Sequence, residues 1–430
     1  MPLFATQLLG AFNDNLFKNA MVLFVVYGVF NDAKSETFFS GIATGIFVLP
    51  FFLLSALSGQ LADMRDKAMI IRIVKACEIG IMLVGGLGLF LAWMDIAVIP
   101  VAMPLMLLAL FAMGIHSTFF GPIKYAILPQ HLEPREVLGG TGLVEAGTYI
   151  AILAGTILAG VIAVEVAAAI VILTAVVGYL TGKQVPPAPP EPGHDGKLDF
   201  HFIRASITLV KGTMHIPRLF LAILSISFFW TIGTVLFIQF PPLAKNVLTA
   251  DKAVASLFLC VFSVGIAIGS VAINRLLKEK VSARFAPACV VVMGLFVVGF
   301  WLVCRGWQGD AHGQLYNIGE FVSHSMAVPL LACLLGIAIS GGMFVVPLYA
   351  FLTTSVPKGA AARTVAANNI VNSGAMVAGS LLTLSLSFIG VAIIDQLLMS
   401  AAMCLVSAWL AVQLHRAERD ADRDAALGHD

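Results

Sequence analysis

Long apolar segments separated by short polar breaks run along almost the whole chain. Twelve of them are long enough to form membrane-crossing helices, since a bilayer takes about 20 residues of helix. The predicted spans are 3–31, 36–62, 68–93, 97–120, 138–163, 165–182, 218–244, 253–274, 285–304, 327–355, 365–387 and 389–414. The pattern therefore predicts an all-α integral membrane protein with twelve transmembrane helices.

The segment between spans 6 and 7 has a different composition. Residues 184–197 are rich in proline and glycine, which break helices, and this predicts a semi-stiff linker. Residues 198–216 mix apolar with basic side chains and predict a helix lying on the membrane surface. Six spans on each side are typical of a transporter built from two parallel repeats. The predicted parts are a six-helix half at 1–182, a cytoplasmic linker at 183–217, a second six-helix half at 218–414 and a cytoplasmic tail at 415–430.

Composition supports the membrane assignment and gives an orientation. Of 430 residues, 59% are hydrophobic and 11% charged, and the mean hydropathy is +0.96, whereas a soluble chain carries about 25% charged residues. Lys and Arg collect in cytoplasmic loops, so we expect both termini in the cytoplasm. This orientation leaves four basic residues on the outer side: Lys34, Lys245, Lys252 and Arg305. The six cysteines form no CxxC pair, and the sequence predicts no disulfide framework, metal site or cofactor.

A polar stripe interrupts the first span. Asp14 and Lys18 lie at membrane depth, where ionisable residues are costly and usually face a bundle interior or a water-filled cavity. At about 100° per residue, Gln7, Asp14 and Lys18 fall on one face of a helix. Asp14 precedes Lys18 by four residues, the favourable order for an ion pair. The alternative is a structural pair that orients the helix; we favour a cavity-facing stripe.

The second half has no interior charge comparable to that of the first, since its Asp395 lies near the outer end of span 12. The first half places three acids and three bases within its spans or, for Lys124, at the end of span 4: Asp14, Lys18, Lys75, Glu78, Lys124 and Glu145. The polar residues of the second half are neutral, chiefly Gln239, Asn368, Asn369 and Asn372. A balanced charged half and an apolar half together predict an amphiphilic substrate with a zwitterionic or anionic head group and a hydrocarbon tail. The alternatives are structural: a Lys75–Glu78 pair, a Lys124 that reaches surface water, and asparagines that bond between helices.

The loop between spans 2 and 3 carries a recognisable motif. Gly59, Asp63 and Arg65 resemble the signature of the major facilitator superfamily, a Gly followed four residues later by an Asp and then by basic residues. A carboxylate near a helix end and nearby cations can bridge neighbouring helices and separate when the two halves rock. These three are therefore candidate gating residues. Met64 stands where the family usually has arginine, and we expect Arg65 to substitute for it.

Four further motifs carry a closer resemblance. Residues 11–20 (AFNDNLFKNA), 121–129 (GPIKYAILP), 142–148 (GLVEAGT) and 366–372 (AANNIVN) resemble the bacterial lysophospholipid transporter family. They look most like the transporter module that some bacteria fuse to an acyltransferase and acyl-carrier-protein synthetase. The resemblance covers essentially the whole chain. It implies inward flipping of lysophosphatidylethanolamine and lysophosphatidylglycerol across the inner membrane for reacylation, without an obvious coupling ion.

The resemblance also implies roles for particular residues. By motif match, Asp14, Lys124 and Glu145 handle the head group or gate the path. Stand-alone enterobacterial members carry an arginine in span 7 shortly after a Phe-Trp pair, whereas here Phe237 stands at about that place. If that arginine binds phosphate, this chain needs another cation, and Lys18 is our candidate. The predicted substrate-binding set is Asp14, Asn15, Lys18, Lys124, Glu145, Gln239, Asn369 and Asn372.

The sequence predicts a transporter rather than an enzyme. No GxxxxGK phosphate loop occurs. The His–Asp spacing of glycerolipid acyltransferases occurs only at His194–Asp199 and His415–Asp420, which lie in the predicted linker and the predicted tail. We expect a monomer that moves lysophospholipid by alternating access, surrounded by membrane lipids, with an acyltransferase as functional partner and no nucleic acid. Two alternatives remain open. One is a proton-coupled exporter of amphiphilic drugs, with Asp14 or Glu145 as proton carrier. The other is a non-transporting membrane partner that docks an acyltransferase through residues 183–217.

Overall fold

The fold was analysed in a computed structural model. It describes residues 1–133, 137–189, 201–277, 282–308, 314–354 and 358–426. Within these residues the regular structure is helical, apart from an isolated bridge between Ala250 and Tyr316. Twelve long helices match the twelve predicted spans, and three shorter helices lie between them. The predicted all-α fold is therefore confirmed.

The described residues up to 189 contain six long helices and one short one. They are α1 (Pro2–Phe24, extended by a π-helical turn at Val25–Val29), α2 (Ala33–Met64), α3 (Lys67–Trp93), α4 (Met103–Ala126, preceded by a π-helical turn at Val98–Ala102), α5 (Leu128–His131), α6 (Val137–Val161) and α7 (Val164–Gly182). Most bounds lie within a few residues of the predicted spans, because apolar length is a strong signal in the membrane.

The described residues from 201 onward contain six further long helices and two short ones. They are α8 (Phe202–Met214), α9 (Pro217–Asn246), α10 (Lys252–Leu276), α11 (Ala286–Gly306), α12 (Ile318–Ser323), α13 (Ala327–Thr354), α14 (Lys358–Phe388) and α15 (Ile393–Ala426). The α8 helix occupies the segment for which we predicted a surface helix, and its place on the membrane stays a prediction.

Ten helices in the described part of the chain are long and apolar enough to cross a membrane. The other two predicted spans correspond to α1, which carries the polar stripe, and α6, which is apolar over Ile150–Val161. The last helix, α15, is longer than predicted. It continues through the first part of the predicted tail at 415–430, where Glu418 accepts a hydrogen bond from the backbone N–H of Ala283 at 3.1 Å.

The chain divides into two compact units. Unit 1 comprises Met1–Asn31 and Gly45–Ala205, and unit 2 comprises Asp32–Thr44 and Ser206–Asp430. The beginning of α2 belongs to unit 2 because Glu36, which is fully buried, accepts hydrogen bonds from Lys245 Nζ at 2.7 Å and from the amide of Asn246.

Each unit is held together by close helix pairs. In unit 1, α1 packs against α6 and α7, and α3 packs against α4 and α7. In unit 2, α10 and α13 approach so closely that a Cβ at Gly269 would overlap the backbone oxygen of Ile339. A Cβ at Gly342 would lie 2.5 Å from the backbone oxygen of Ile266. Small residues at helix contacts are a main source of packing energy inside membranes, where lipid is as apolar as the side chains.

The first part of the predicted proline-rich linker is an ordered strap, residues 185–189, on unit 1. Ala188 is hydrogen-bonded to the start of α3. The Lys67 N–H donates to the Ala188 oxygen at 3.0 Å, and the Ala188 N–H donates to the side-chain oxygen Asp66 Oδ1 at 3.0 Å. Arg72 donates to the Val185 oxygen at 3.0 Å. Val185 and Ala188 are buried in an apolar cluster with residues of α3 and α4. Linker residues 190–197 lie outside the described residues.

We expect Asp66→Ala to destabilise unit 1, because Asp66 Oδ1 has two structural roles. It caps the first turn of α3 through the N–H of Ala68 at 2.9 Å, and it holds the strap. Loss of such a cap costs about 0.5–2 kcal/mol, so we expect a lower apparent Tm in detergent. Asp66→Asn keeps an acceptor oxygen and is expected to resemble the parent. Equal Tm values for the Ala variant and the parent would contradict this role.

Candidate functional site

Asp14 lies on α1 and contacts α4. The hydroxyl of Ser117 donates a hydrogen bond to Asp14 Oδ2 at 2.5 Å. The other carboxylate oxygen, Oδ1, is buried and has no hydrogen-bond partner among the described residues. A buried polar atom without a partner is costly, and a charged one especially so. A ligand donor would satisfy this oxygen, and a proton on it would remove its charge.

Lys18 lies one helical turn further along α1. Its ammonium is 5.6 Å from the centroid of the Phe47 ring, a cation–π distance. Within the part of the chain that the structure describes, Asp14 contacts Ser117 and Lys18 contacts Phe47, instead of forming the ion pair that their spacing favours. Asn15 uses its amide inside α1, donating to the Ala11 oxygen at 2.8 Å.

Lys124, on α4, belongs to a second polar group. This group reaches α1 at Gln7, about two helical turns before Asp14. Its ammonium donates to the Thr148 hydroxyl at 3.4 Å, and the Thr148 hydroxyl lies 2.9 Å from Gln7 Oε1. These contacts join α4, α6 and α1. Because α1 and α4 run antiparallel here, Gln7 faces the Lys124 end of α4 and Asp14 faces Ser117. Glu145 lies on α6, and its side chain is outside the described residues.

Lys75 and Glu78 form a buried ion pair on α3, as the structural interpretation expected. Lys75 Nζ lies 2.6 Å from Glu78 Oε2, and both side chains are at most 1% exposed. Two further groups meet the same carboxylate. Asn13 on α1 donates to Oε1 at 3.0 Å, and His116 Nε2 on α4 lies 3.3 Å from Oε2.

Sequence reasoning missed three of these residues. Asn13, His116 and Ser117 were not among the predicted site residues, although each is a polar residue inside a predicted span. The available signal was the polar run His116-Ser117-Thr118 near the end of the otherwise apolar span 4. Which residue they contact depends on the rotation of each helix, which one sequence does not specify.

The predicted neutral residues of unit 2 do not form one group. Asn372 Oδ1 accepts from the Ser227 hydroxyl at 2.6 Å, and its amide donates to the Tyr349 hydroxyl at 3.3 Å. Gln239 instead donates to Gln396 Oε1 at 3.3 Å. Asn369 is exposed. The contacts of Asn372 match the interpretation that asparagines bond between helices.

The predicted gating residues lie at the end of α2. Gly59 and Asp63 are in its last turns and Arg65 follows it as an exposed residue, while the Asp63 side chain is outside the described residues. The carboxylate whose contacts are described at this turn belongs to Asp66. Asp66 is the residue immediately before a helix start, the ordinary position of an N-cap, and that signal was available in the sequence.

Comparison with known proteins identifies the family. The family model described as Major Facilitator Superfamily matches residues 3–380. This chain belongs to the major facilitator superfamily. The resemblance noted at Gly59 and Asp63, and the arrangement of twelve long helices, agree with this membership.

Solved structures agree with the superfamily fold. The chain resembles the POT family transporter PepTSo with a TM-score of 0.67 and 14% identity, over 97% of each chain. It resembles a D-xylose-proton symporter with a TM-score of 0.66 and 13% identity, over 95% of each chain. At these identities the likeness shows the fold of the facilitator and nothing about its substrate.

Curated relatives of this chain carry names that specify a substrate. A lysophospholipid transporter LplT from Citrobacter koseri is 26% identical over 88% of this facilitator and 85% of the relative. An LplT from Escherichia coli is 25% identical over 86% of this chain and 84% of the relative. An LplT from Serratia proteamaculans is 25% identical over 80% of this chain and 77% of the relative. Relatives of these kinds, together with the apolar helices, indicate a multi-pass protein of the bacterial inner membrane.

Proposed function

We propose that this facilitator moves lysophospholipids from the outer to the inner leaflet of the inner membrane by alternating access. Relatives that match most of its length are named lysophospholipid transporters. The observation that carries the proposal is the buried Oδ1 of Asp14, which has no hydrogen-bond partner among the described residues, one helical turn before Lys18 on α1. We propose that the protein acts as a monomer, with both termini in the cytoplasm, and supplies lysophospholipid to an acyltransferase.

Asp14 and Lys18 fit the two charges of a zwitterionic head group. The ammonium of lysophosphatidylethanolamine would donate to Asp14 Oδ1, while Ser117 holds Oδ2. The phosphate would bind Lys18, which lies about 6 Å further along α1. In the described part of the chain, Lys18 contacts an aromatic ring and no hydrogen-bond acceptor, so its donors remain for the substrate. Lysophosphatidylglycerol lacks the ammonium and would use Lys18 without Asp14.

Lys124 fits gating better than phosphate binding. Its ammonium is already bonded to Thr148, which links it to Gln7 across three helices of unit 1. Such a contact fixes helix positions and changes only when the helices move. We propose that Lys124 and Glu145, with Gly59, Asp63 and Arg65, control access to the path, and that Asn15, Gln239, Asn369 and Asn372 contribute to binding the lipid.

A reconstituted assay tests this function. The full-length protein would be placed in proteoliposomes that enclose an acyltransferase and its acyl donor, and labelled lysophosphatidylethanolamine would be added outside. We expect faster appearance of diacyl lipid than in protein-free vesicles, with or without a pH gradient. Equal rates in the two kinds of vesicle would contradict the proposal.

A proton-coupled exporter is the second candidate, because a proton on Oδ1 would remove the charge that makes the burial of this atom costly. The two functions differ in their energy source. An exporter of amphiphilic drugs would require a pH gradient and would lose that requirement in Asp14→Asn. Under our proposal, collapsing the gradient leaves the rate of lysophospholipid movement unchanged.

A further inference from the structure

Glu78 contacts both helices that carry the Asp14–Ser117 hydrogen bond. Its Oε1 accepts from Asn13 at 3.0 Å, and its Oε2 lies 3.3 Å from His116 Nε2. Asn13 directly precedes Asp14 on α1, and His116 directly precedes Ser117 on α4. One carboxylate on α3 therefore holds two helices, each one residue away from the proposed binding carboxylate.

The Glu78 carboxylate is itself fixed. Lys75 Nζ lies 2.6 Å from Oε2 and 5.2 Å from the centroid of the Phe120 ring on α4. On the side of α1, a Cβ at Gly10 would lie 2.5 Å from Lys75 Nζ, so the ammonium fills the space that this glycine leaves. Asn13, Lys75 and Glu78 are all at most 1% exposed. The cluster has little freedom to move alone.

Helix geometry explains how a contact at Asn13 acts on Asp14. Adjacent side chains on a helix point about 100° apart, so anchoring one of them sets the rotation of the helix and the direction of the next. The same argument applies to His116 and Ser117. If α1 or α4 turned, the Ser117 hydroxyl would no longer meet Oδ2, and Oδ1 would change direction.

We propose that Asn13, Glu78 and His116 are positioning residues for Asp14. They hold α1 and α4 at the rotation in which the Ser117 hydroxyl donates to Asp14 Oδ2. In this rotation Asp14 Oδ1 stays available to accept a hydrogen bond from the substrate ammonium. This inference rests on the proposed function, because it concerns the ammonium-binding role of Asp14. Binding groups generally need placement to within about 0.5 Å by the residues that support them.

The test compares two lipids that differ in the ammonium. In the proteoliposome assay, Asn13→Leu is expected to lower the rate for lysophosphatidylethanolamine about 10-fold, within the roughly 100-fold that a 1 Å misplacement can cost. The rate for lysophosphatidylglycerol should change far less. Asn19→Leu is the matched control: Asn19 is on the same helix and donates to Thr156 at 3.0 Å, away from Glu78. For Asn19→Leu, the ratio of the lysophosphatidylethanolamine rate to the lysophosphatidylglycerol rate should equal that of the parent.

Further variants distinguish a positioning role for these residues from a purely structural one. His116→Leu should reproduce the change in ratio, whereas His116→Gln keeps a donor near Glu78 and should restore much of it. In an Asp14→Asn background, Asn13→Leu should cause no further loss for lysophosphatidylethanolamine, since a positioning residue acts through its target. If Asn13→Leu does not fold, His116→Leu and His116→Gln carry the comparison.

The outcomes distinguish this inference from the function beneath it. If Asp14→Asn changes the lipid ratio but Asn13→Leu and His116→Leu do not, positioning is wrong and the proposed function stands. Equal losses for both lipids in these variants would indicate a structural role and would also overturn positioning. If Asp14→Asn itself leaves the ratio unchanged, the ammonium-binding role of Asp14 is wrong, and positioning with it.

Discussion

Replacing Lys75 with methionine is expected to lower the free energy of unfolding by about 3–5 kcal/mol, the usual cost of removing one partner of a buried ion pair. The ammonium lies 2.6 Å from Glu78 Oε2, and neither side chain is more than 1% exposed. Methionine has a similar length, so the effect comes mainly from the carboxylate that is left without its partner. A much lower apparent Tm and a reduced yield of monodisperse protein in detergent would measure it.

Two further variants control for this effect. Lys183→Met makes the same change at an exposed lysine, where most substitutions stay within about 0.5 kcal/mol. Adding Glu78→Leu to Lys75→Met removes both charges, and well-packed apolar residues often replace a buried ion pair without loss. We expect the double variant to recover part of the lost Tm, because it removes the unpaired carboxylate but also leaves Asn13 and His116 without their partner. A double variant no more stable than Lys75→Met would show that the contacts of Glu78 with Asn13 and His116 outweigh the cost of the unpaired carboxylate.

The helices could be predicted from the sequence because the membrane imposes a length and an apolar composition on each. The twelve spans follow from those two requirements. The end of α15 could not be predicted in this way, since the helix leaves the apolar region and continues through charged residues to Ala426. There, local contacts such as the bond from Ala283 to Glu418 replace hydropathy as the determinant.

The candidate site could be predicted only in part. Asp14 and Lys18 were recognisable because ionisable residues at membrane depth are rare. Their contacts were not, because Ser117 lies 103 positions away along the chain and Phe47 lies on another helix. The spacing of Asp14 and Lys18 along α1 favours an ion pair between them. It does not account for the hydroxyl of Ser117 and the ring of Phe47, which neighbouring helices bring to these two side chains.

Asp14→Asn is expected to lower the rate of lysophosphatidylethanolamine movement by about 10- to 100-fold. The variant removes a charged acceptor, and a hydrogen bond to a charged group contributes about 1.5–3 kcal/mol, where 1.4 kcal/mol corresponds to about tenfold. Lysophosphatidylglycerol has no ammonium to lose, so its rate should fall much less. Asp95→Asn makes the same change at an exposed turn and should leave both rates unchanged.

Lys18→Met provides the complementary half of the same prediction. Both lipids carry a phosphate, so loss of the Lys18 ammonium should slow both by similar factors and leave their ratio near that of the parent. The opposite signatures, one selective and one general, would assign the two ends of the head group to the two side chains. A selective effect of Lys18→Met would place the ammonium elsewhere. No effect of Lys18→Met on either lipid would contradict phosphate binding by Lys18. Lys124 would then be the next cation to test, since Lys75 is bound to Glu78.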